Sequence, residues 1–365
     1  MKLAEKLQAS MSQVAAYEAG QDKSEIKKKY NIEEPIKLAS NENPYGASPE
    51  VKEVIAQEFN RIAEYPASKA TMLRKSLADF YDLSDEMVFT GNGTDEIIGL
   101  LVELFNGENY EIIYPDPSFA KYKLYIQSKG ADGVAVPLDD ELGLDLDGMA
   151  AEINEKTGMI FICDPNNPTG TMCQANKIKE FIDRVPDDIL IVLDQAYHEY
   201  MTSEDYYQGL DELSERSNLL ILRTFSKAYG MAGLRIGYGL GSPEIIHYLD
   251  QLRDTFNCNR LGQRAAIAAL KDQQHIQMSR AKNQQEKKYL YQELEKAGID
   301  YVESEANFLL IAVPGDSREA AVELESKGII VKPGAPLGVP GMIRVTVGTR
   351  ADNEVLIEKL IELYS

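Results

Sequence analysis

The stretch TFSKAYGMAGLRIGY, residues 224–238, places a lysine and an arginine eight positions apart. Lys227 directly follows an apolar run, NLLILR, that is typical of a buried strand. A lysine amine beside cationic groups or low-dielectric walls loses proton affinity and becomes a nucleophile that can form a Schiff base with a carbonyl. Arg235 offers paired N–H donors to a phosphate, and Ser226 offers a hydroxyl. The stretch therefore predicts carbonyl chemistry next to an anion site.

An aspartate, Asp194, ends a second apolar run, ILIVLD. A buried aspartate is costly unless it meets a positive partner, and a protonated pyridine nitrogen would be one. Asp194 and Lys227 together suggest a pyridoxal ring that spans neighbouring strand ends. Tyr197 and Asn167 could then hydrogen-bond the phenolic oxygen of the ring, and Phe119 could lie on its face. Taken alone, Phe119 is better explained by core packing.

The segment GNGTDE, residues 91–96, places glycines between an apparent strand and a helix start. Such a turn exposes backbone N–H groups to an anion, and the helix dipole adds attraction. A helix cap at Thr94 or Asp95 explains the same residues, and both functions can coexist. The segment lacks the GK[ST] of a phosphate-binding P-loop, and its dinucleotide pattern GxGxxG is broken at Glu96.

Five short apolar runs, each followed by polar or Gly-rich residues and then a helical pattern, predict strands at residues 87–90, 110–115, 159–164, 189–194 and 219–224. This alternation indicates βαβ units and a mostly parallel central sheet flanked by helices, an α/β fold. Ligands of such sheets bind outside the carboxyl ends of the strands. The unusual polar residues stand at those predicted ends: Asp95, Asn167, Asp194, Tyr197 and Lys227.

The chain changes character after about residue 240, where two helical patterns precede the strand-like runs NFLLIAVP, GIIVKPG and MIRVTVG. This tail predicts a smaller α+β domain. We expect a large domain over residues 45–255, and a small domain formed by residues 1–44 together with residues 256–365.

The composition narrows the class of protein. The 365 residues include 38 basic and 59 acidic side chains, a net charge of −21, which disfavours a nucleic-acid partner. No apolar run is long enough to span a membrane and no signal-type segment follows Met1, so we expect a cytoplasmic protein with no membrane partner. The three scattered cysteines suit reduced thiols. Three histidines without HExxH, and cysteines without a CxxC pair, disfavour a metal site or a Ser-His-Asp triad.

Seven motifs occur in one order along the chain: SNENPYG, YP, GNGTDE, DPNNPTG, LDQAYHEY, TFSKAYGMAGLRIGY and IRVTVGTR. In this order they resemble the pyridoxal-phosphate-dependent aminotransferases of fold type I, over about residues 17–350. The resemblance implies pyridoxal 5′-phosphate as cofactor and a ping-pong transfer of an amino group. The branch it resembles most interconverts histidinol phosphate and 2-oxoglutarate with imidazole-acetol phosphate and glutamate, in histidine biosynthesis.

The resemblance also implies a role for each matching residue. Lys227 would carry the cofactor as a Schiff base and move the α-proton, and Asp194 would pair with the pyridine nitrogen. The cofactor would further contact Tyr197, Asn167, Phe119, Gly93, Thr94, Asp95, Ser226, Arg235, Thr224 and Tyr65. The substrate would contact Arg344, Asn167, Tyr17, Asn43, Lys332 and Tyr65. Because Tyr65 is expected to reach the site of the neighbouring subunit, the resemblance implies an active homodimer.

One position departs from that branch. Lys332, in GIIVKPG, stands where an arginine usually meets the substrate phosphate. Lysine keeps the charge but loses the fork geometry that grips phosphate through two N–H groups. An aromatic amino-acid aminotransferase on the same fold is therefore the alternative function. For Lys332 itself, the structural alternative is a surface lysine before a turn. More distant alternatives are a decarboxylase of this fold, a cofactor-binding regulator without catalysis and a nicotinamide-dependent oxidoreductase.

Overall fold

The computed structural model describes residues 22–107 and 110–364. Tyr17, a predicted substrate contact, lies outside them. The helices of these residues are α1 (Lys23–Tyr30), α2 (Pro49–Glu58), α3 (Thr71–Tyr81), α4 (Thr94–Leu104), α5 (Lys121–Lys129), α6 (Leu146–Ala151), α7 (Ala175–Arg184), α8 (Pro243–Leu252), α9 (Arg260–Lys271), α10 (Gln273–Ala297), α11 (Ser317–Ser326) and α12 (Arg350–Leu363). The strands are β1 (Ile36–Lys37), β2 (Val88–Gly91), β3 (Glu111–Pro115), β4 (Asp132–Val136), β5 (Thr157–Cys163), β6 (Leu190–Asp194), β7 (Leu219–Thr224), β8 (Gly237–Gly241), β9 (Tyr301–Val302), β10 (Phe308–Ala312), β11 (Ile329–Ile330), β12 (Lys332–Pro333) and β13 (Met342–Thr346).

The largest sheet has seven strands in the order β2-β8-β7-β6-β5-β3-β4. Strands β3 to β7 pair in parallel, whereas β8 runs antiparallel to both β2 and β7. Every residue of β5, β6 and β7 is buried, as expected of parallel strands with helices on both faces. Because β2 runs in the direction of β7, the carboxyl ends of β2, β3, β5, β6 and β7 meet at one edge.

A second core forms between a four-stranded antiparallel sheet, β12-β13-β10-β9, and helices α10, α11 and α12. The N-terminal segment joins it, since β1 pairs in parallel with β11. The 25-residue helix α10 begins at the cap residue Asp272, whose carboxylate accepts the amide of His275, and ends at Gly298. Gly298 has φ +66, the left-handed conformation that commonly terminates helices. The second core thus contains residues from both ends of the described chain, such as Leu38 and Leu360.

The predicted α/β fold is confirmed, with a mostly parallel central sheet flanked by helices. All five predicted strands are present, with shifts of up to two residues at their ends. Sequence reasoning missed β8, because its sequence GYGLG lacks the β-branched residues of its neighbours, and β4, because it is an exposed edge strand. The domain boundaries at residues 44 and 255 stay a prediction. Among residues 22–107 and 110–364, no helix is both long and apolar enough to cross a membrane.

Candidate active site

A cavity opens at the carboxyl edge of the seven-stranded sheet, where that sheet faces the four-stranded one. It contains four basic side chains and two acidic ones, so it is locally positive although the whole chain is strongly acidic. Such a cavity favours anionic ligands. Its lining residues are Ala39, Ser40, Asn41, Thr94, Asp95, Ser118, Phe119, Ala120, Cys163, Asn167, Asp194, Ala196, Tyr197, Thr224, Ser226, Lys227, Arg235, Lys332, Leu337 and Arg344.

The spacing of Lys227 and Arg235 follows from the connection between β7 and β8. Thr224, the last residue of β7, pairs with Gly237, the first residue of β8. The chain therefore leaves the sheet edge at Thr224, carries Lys227 past it and returns to the same edge with Arg235. Two cations eight positions apart thus reach one cavity because an antiparallel strand follows a parallel one.

Lys227 is partly buried and lines the cavity. Its Nζ donates to the carbonyl of Ser40 at 3.3 Å and lies 5.6 Å from the centre of the Tyr197 ring. Burial, and then the positive charge of Arg344, lower the pKa of Lys227 from 10.5 to about 8. An amine with this pKa has a much larger neutral fraction near physiological pH than an ordinary lysine has, and a nucleophilic lysine reacts through that neutral form.

Asp194 is only 2% exposed at the end of β6. Its Oδ2 accepts the hydroxyl of Tyr122 at 2.6 Å, and its Oδ1 accepts the backbone N–H of Ala196 at 3.2 Å. Burial raises the pKa of Asp194 to about 6, although these hydrogen bonds oppose the rise. A cationic ligand group next to Asp194 would relieve that desolvation, which is the relationship expected with a protonated ring nitrogen.

An anion cup forms where helix α4 begins. Its N-cap residue, Gly93, has no side chain to occupy the first-turn N–H groups, so Gly93 rather than Thr94 or Asp95 takes the cap position. A Cβ at Gly93 would lie 2.5 Å from Nη2 of Arg235 and would displace that guanidinium, and the φ of +76 at Gly93 also favours glycine. Arg235 also lies 3.4 Å from Ser226 Oγ and 3.5 Å from Asp95. The N-terminus of α4, the guanidinium of Arg235 and the hydroxyl of Ser226 thus lie together, and each can donate hydrogen bonds to a phosphate.

Three buried residues bring further hydrogen-bonding groups to the cavity: Arg344 from β13, and Asn167 and Tyr197 from the segments that follow β5 and β6. Arg344 on β13 donates through Nη1 to Asn167 Oδ1 at 2.5 Å and through Nη2 to the carbonyl of Ala39 at 2.9 Å. Because the Asn167 carbonyl oxygen faces Arg344, its NH₂ group remains available as a donor. The Tyr197 hydroxyl lies 3.0 Å from the side-chain amide of Asn41. Burial raises the pKa of Tyr197 well above its ordinary value, so the hydroxyl keeps its proton.

Phe119 and Lys332 are partly buried and also line the cavity. Phe119 meets the Tyr122 ring edge-on, with centroids 5.7 Å apart. Lys332 on β12 is directly opposite Arg344 on β13 in the antiparallel register. Opposed residues of neighbouring strands project to the same face of a sheet, which explains why both cations reach one cavity.

Besides Gly93 of the anion cup, two predicted site residues that the structure describes, Asn43 and Tyr65, are not among the residues that line the cavity. Asn43 donates to the carbonyl of Ala228 at 2.8 Å and to Ser279 Oγ at 3.0 Å, so its amide braces the backbone next to Lys227. Tyr65 is 79% exposed and stacks on Phe256 with centroids 4.5 Å apart. The predicted roles of both residues in substrate or cofactor binding stay predictions.

Sequence reasoning missed two buried residues that contact the predicted ones. Tyr122 donates a hydrogen bond to Asp194. The only indication of Tyr122 in the sequence was its position three residues after Phe119, at the start of a helix. Asn41 holds Tyr197, although 156 positions separate the two. Its only sequence signal is membership of SNENPYG, and no spacing rule connects it to Tyr197.

The sequence matches a known family over residues 33–360, that of the "Aminotransferase class I and II". The chain belongs to this family. Within it, the chain is similar to the histidinol-phosphate aminotransferase of Brevibacillus brevis, with 41% identity over 349 residues and 96% of each chain covered. It is also 41% identical over 361 residues to that of Moorella thermoacetica, covering 99% of this chain and 93% of the relative. The resemblance inferred from the motifs is thereby confirmed.

A solved structure agrees with the sequence relatives. The histidinol-phosphate aminotransferase of Sinorhizobium meliloti, crystallised with pyridoxal 5′-phosphate, has a TM-score of 0.89 and 26% identity, and the match covers 98% of this chain and 97% of that one. The cavity fits the same cofactor. The turn at Gly93 has room for a phosphate, and the buried carboxylate of Asp194 can pair with a pyridine nitrogen. Lys227, with its lowered pKa, can react with an aldehyde.

Proposed function

We propose that this enzyme is a pyridoxal-phosphate-dependent aminotransferase that interconverts histidinol phosphate and 2-oxoglutarate with imidazole-acetol phosphate and glutamate. The main support is that relatives 41% identical over nearly the whole chain carry this activity in their names. The cavity supports the same conclusion, since Lys227 and Asp194 flank a space whose other walls hold cations and amide donors. The aromatic alternative gains no comparable support.

Each site residue has a task that its position explains. The bound cofactor supplies an electron sink for the electron pair left when the substrate loses its α-proton. Lys227 would hold the cofactor through Nζ, and once the substrate amine has displaced it, its neutral amine would take the α-proton and return it. Asp194 would keep a proton on the pyridine nitrogen, while Asn167 and Tyr197 would donate to the phenolic oxygen. Phe119 would cover the ring, and the residues around Gly93 and Arg235, with Thr94, Asp95, Thr224 and Ser226, would hold the phosphate.

The two substrates present different anions to the same pocket. Glutamate carries an α-carboxylate, whereas histidinol phosphate carries a phosphate and no α-carboxylate. Arg344 and Lys332 lie opposite each other in adjacent strands, so both can face either ligand. We assign the α-carboxylate to Arg344 and the substrate phosphate to Lys332 together with Arg344. Tyr17 and Asn43 belong to the N-terminal segment that we expect to close the pocket.

The proposal includes a homodimer in the cytoplasm. Tyr65 is highly exposed outside the cavity of its own chain, and Phe59, Ile62 and Met72, which are close to it in the sequence, also expose large apolar side chains. Large apolar side chains exposed along one stretch of chain are a feature that a protein interface would cover. In the dimer, Tyr65 of each subunit would reach the cofactor phosphate and substrate of the other. The three cysteines, all buried and free, suit a reducing compartment.

The decisive experiment compares two amino donors. We expect the holoenzyme, with 2-oxoglutarate as acceptor, to have a higher kcat/KM for histidinol phosphate than for phenylalanine. Burial of a phosphate between two cations should favour the phosphorylated donor, whereas phenylalanine lacks that group. A preference for phenylalanine of more than about tenfold, roughly 1.4 kcal/mol of transition-state binding, would replace this proposal by the aromatic aminotransferase.

A further inference from the structure

Asn41 is a buried residue that the proposed reaction has so far left without a task. It is 1% exposed, lines the cavity and has φ +55, a left-handed conformation that asparagine tolerates better than most residues. Residues held in such conformations cluster at functional sites. Its contacts join the two sheets: Tyr197 follows β6 of the large sheet, and Thr346 ends β13 of the small one.

The orientation of the Asn41 side-chain amide follows from its hydrogen bonds to Thr346. The backbone N–H of Asn41 donates to Thr346 Oγ1 at 2.8 Å. Since that hydroxyl oxygen is already an acceptor, its own proton is available to Asn41 Oδ1, which lies 3.3 Å away. The carbonyl end of the amide therefore faces Thr346, and the NH₂ end faces Tyr197 at 3.0 Å. The side-chain amide of Asn307 donates to the backbone carbonyl of Asn41 at 3.0 Å, which further fixes the position of Asn41.

This orientation determines the direction of the next hydrogen bond. An amide NH₂ group can only donate, so the Tyr197 oxygen is the acceptor in its bond with Asn41. The hydroxyl proton of Tyr197 is then left to point into the cavity. Arg344 orients Asn167 in a similar way. It donates to the side-chain oxygen of Asn167, so the NH₂ group of Asn167 faces the cavity. Two donors converge there, and each is oriented by a neighbour.

We propose that Asn41 is a positioning residue that fixes Tyr197 as a hydrogen-bond donor to the phenolic oxygen of the cofactor, and that Thr346 sets the direction of this relay. The inference rests on the proposed function, because it needs pyridoxal phosphate in the cavity. Donors on the phenolic oxygen weaken its hold on the proton that it shares with the Lys227 nitrogen. The charged and titratable groups around Tyr197 are Lys227, Arg344, Asp194, Cys163 and Tyr200.

The test is the pH midpoint of the visible absorption change of the holoenzyme. Asn41→Asp keeps the size of the side chain and its tolerance of positive φ, but replaces the donor by an acceptor. The Tyr197 proton should then turn to the introduced carboxylate rather than to the cavity. We expect the midpoint to rise by roughly one unit, the effect of about one hydrogen bond.

A double-mutant cycle separates this effect from that of the added negative charge. In a Tyr197→Phe background there is no hydroxyl to redirect, so Asn41→Asp should shift the midpoint much less than in the wild type. Equal shifts in the two backgrounds would overturn the inference. If the wild type takes up no pyridoxal phosphate and shows no visible band, the proposed function itself fails instead.

A neutral pair of variants covers the case in which a buried aspartate prevents folding. Thr346→Val removes the hydroxyl that orients the amide without changing any charge, whereas Thr346→Ser keeps it. We expect Thr346→Val to raise the midpoint by roughly half a unit and to weaken pyridoxal phosphate binding a few-fold, and Thr346→Ser to behave as the wild type. A midpoint unchanged in Thr346→Val would contradict the direction that we assign to the relay.

Discussion

The two walls of the cavity are built in different ways. One wall, here the strand-end wall, consists of Asp194, Ser226, Lys227, Arg235 and the turn at Gly93, all at one edge of the seven-stranded sheet. The other, the small-sheet wall, consists of Lys332 on β12, Arg344 on β13 and residues 39–41. The strand-end wall faces the cofactor in our proposal, and the small-sheet wall faces the substrate.

The strand-end wall is held by strands whose every residue is buried. Helices cover both faces of these strands, so a shift in register would move many apolar side chains at once. Asp194 and Lys227 are thus fixed in a rigid edge, where burial moves the pKa of the first up and of the second down. In our proposal, the chemistry common to all substrates is therefore placed on the strands that are most completely buried.

The small-sheet wall depends on contacts between distant parts of the chain. Arg344 donates to the carbonyl of Ala39 across 305 positions, and β12 contributes only two residues. Loops and short strands can change with less disturbance to a core than long buried strands can. We therefore expect changes in substrate preference to arise from the small-sheet wall, while the strand-end wall keeps the same chemistry.

The largest expected effect comes from breaking the strand-end wall at Lys227. Lys227→Ala removes both the cofactor anchor and the proton carrier, so we expect transamination to fall at least about a thousandfold. Folding should persist, since the side chain lines a cavity rather than the core. Rates with glutamate, and absorption of the purified protein before and after borohydride, measure the effect. Retention of a borohydride-sensitive visible band in the variant would show that another lysine carries the cofactor.

A second prediction concerns the pH dependence of cofactor attachment to the cofactor-free protein. Burial, and then Arg344, lower the pKa of Lys227 to about 8, so the reactive neutral amine predominates above pH 8 and is lost below it. We expect the attachment rate constant to fall roughly tenfold per pH unit below 8, until Asp194 begins to protonate near pH 6, and to level off above pH 8. Stopped-flow absorbance measures this rate. Nα-acetyl-lysine, whose side-chain amine has the ordinary pKa of 10.5, is the control, and a rate for the enzyme that keeps climbing in parallel with it beyond pH 9 would contradict the prediction.

Much of the strand-end wall could be predicted from the sequence. The run before Lys227 and the run ending at Asp194 are continuous and apolar, so each identifies a buried strand and its end. Parallel strands bring their carboxyl ends to one edge, which is enough to place these two residues together. The position of Arg235 needed the antiparallel strand β8, whose glycine-rich sequence gives no strand signal. Its role was inferred from the motif instead.

The supporting residues could not be predicted in this way. Asn41 meets Tyr197 and Thr346 through contacts across 156 and 305 positions, and neither contact leaves a periodic signal. The positive φ of Asn41 could not be predicted from the sequence either, because this conformation at a non-glycine residue depends on the tertiary contacts that hold it. Asn43 is a different case, because its motif predicts a substrate contact, which stays a prediction, while its amide donates to Ala228 and Ser279.

The smallest expected effect tests the small-sheet wall at Lys332. Lys332→Arg supplies a planar fork that can hold a phosphate through two N–H groups, while it keeps the charge and the position opposite Arg344. We expect kcat/KM for histidinol phosphate to rise about three- to tenfold, and kcat/KM for phenylalanine to stay unchanged because that donor has no phosphate.

Lys327→Arg is the matched control for this prediction. Lys327 lies on the same segment but pairs with Glu323 and Glu362 at the surface, away from the cavity lining. The same substitution there should alter neither donor. An equal gain for both donors in Lys332→Arg would mean that the residue acts on the shared α-amino chemistry or on folding. A gain for histidinol phosphate alone would locate phosphate recognition on the small-sheet wall, and would mark it as the part of the site that sets specificity.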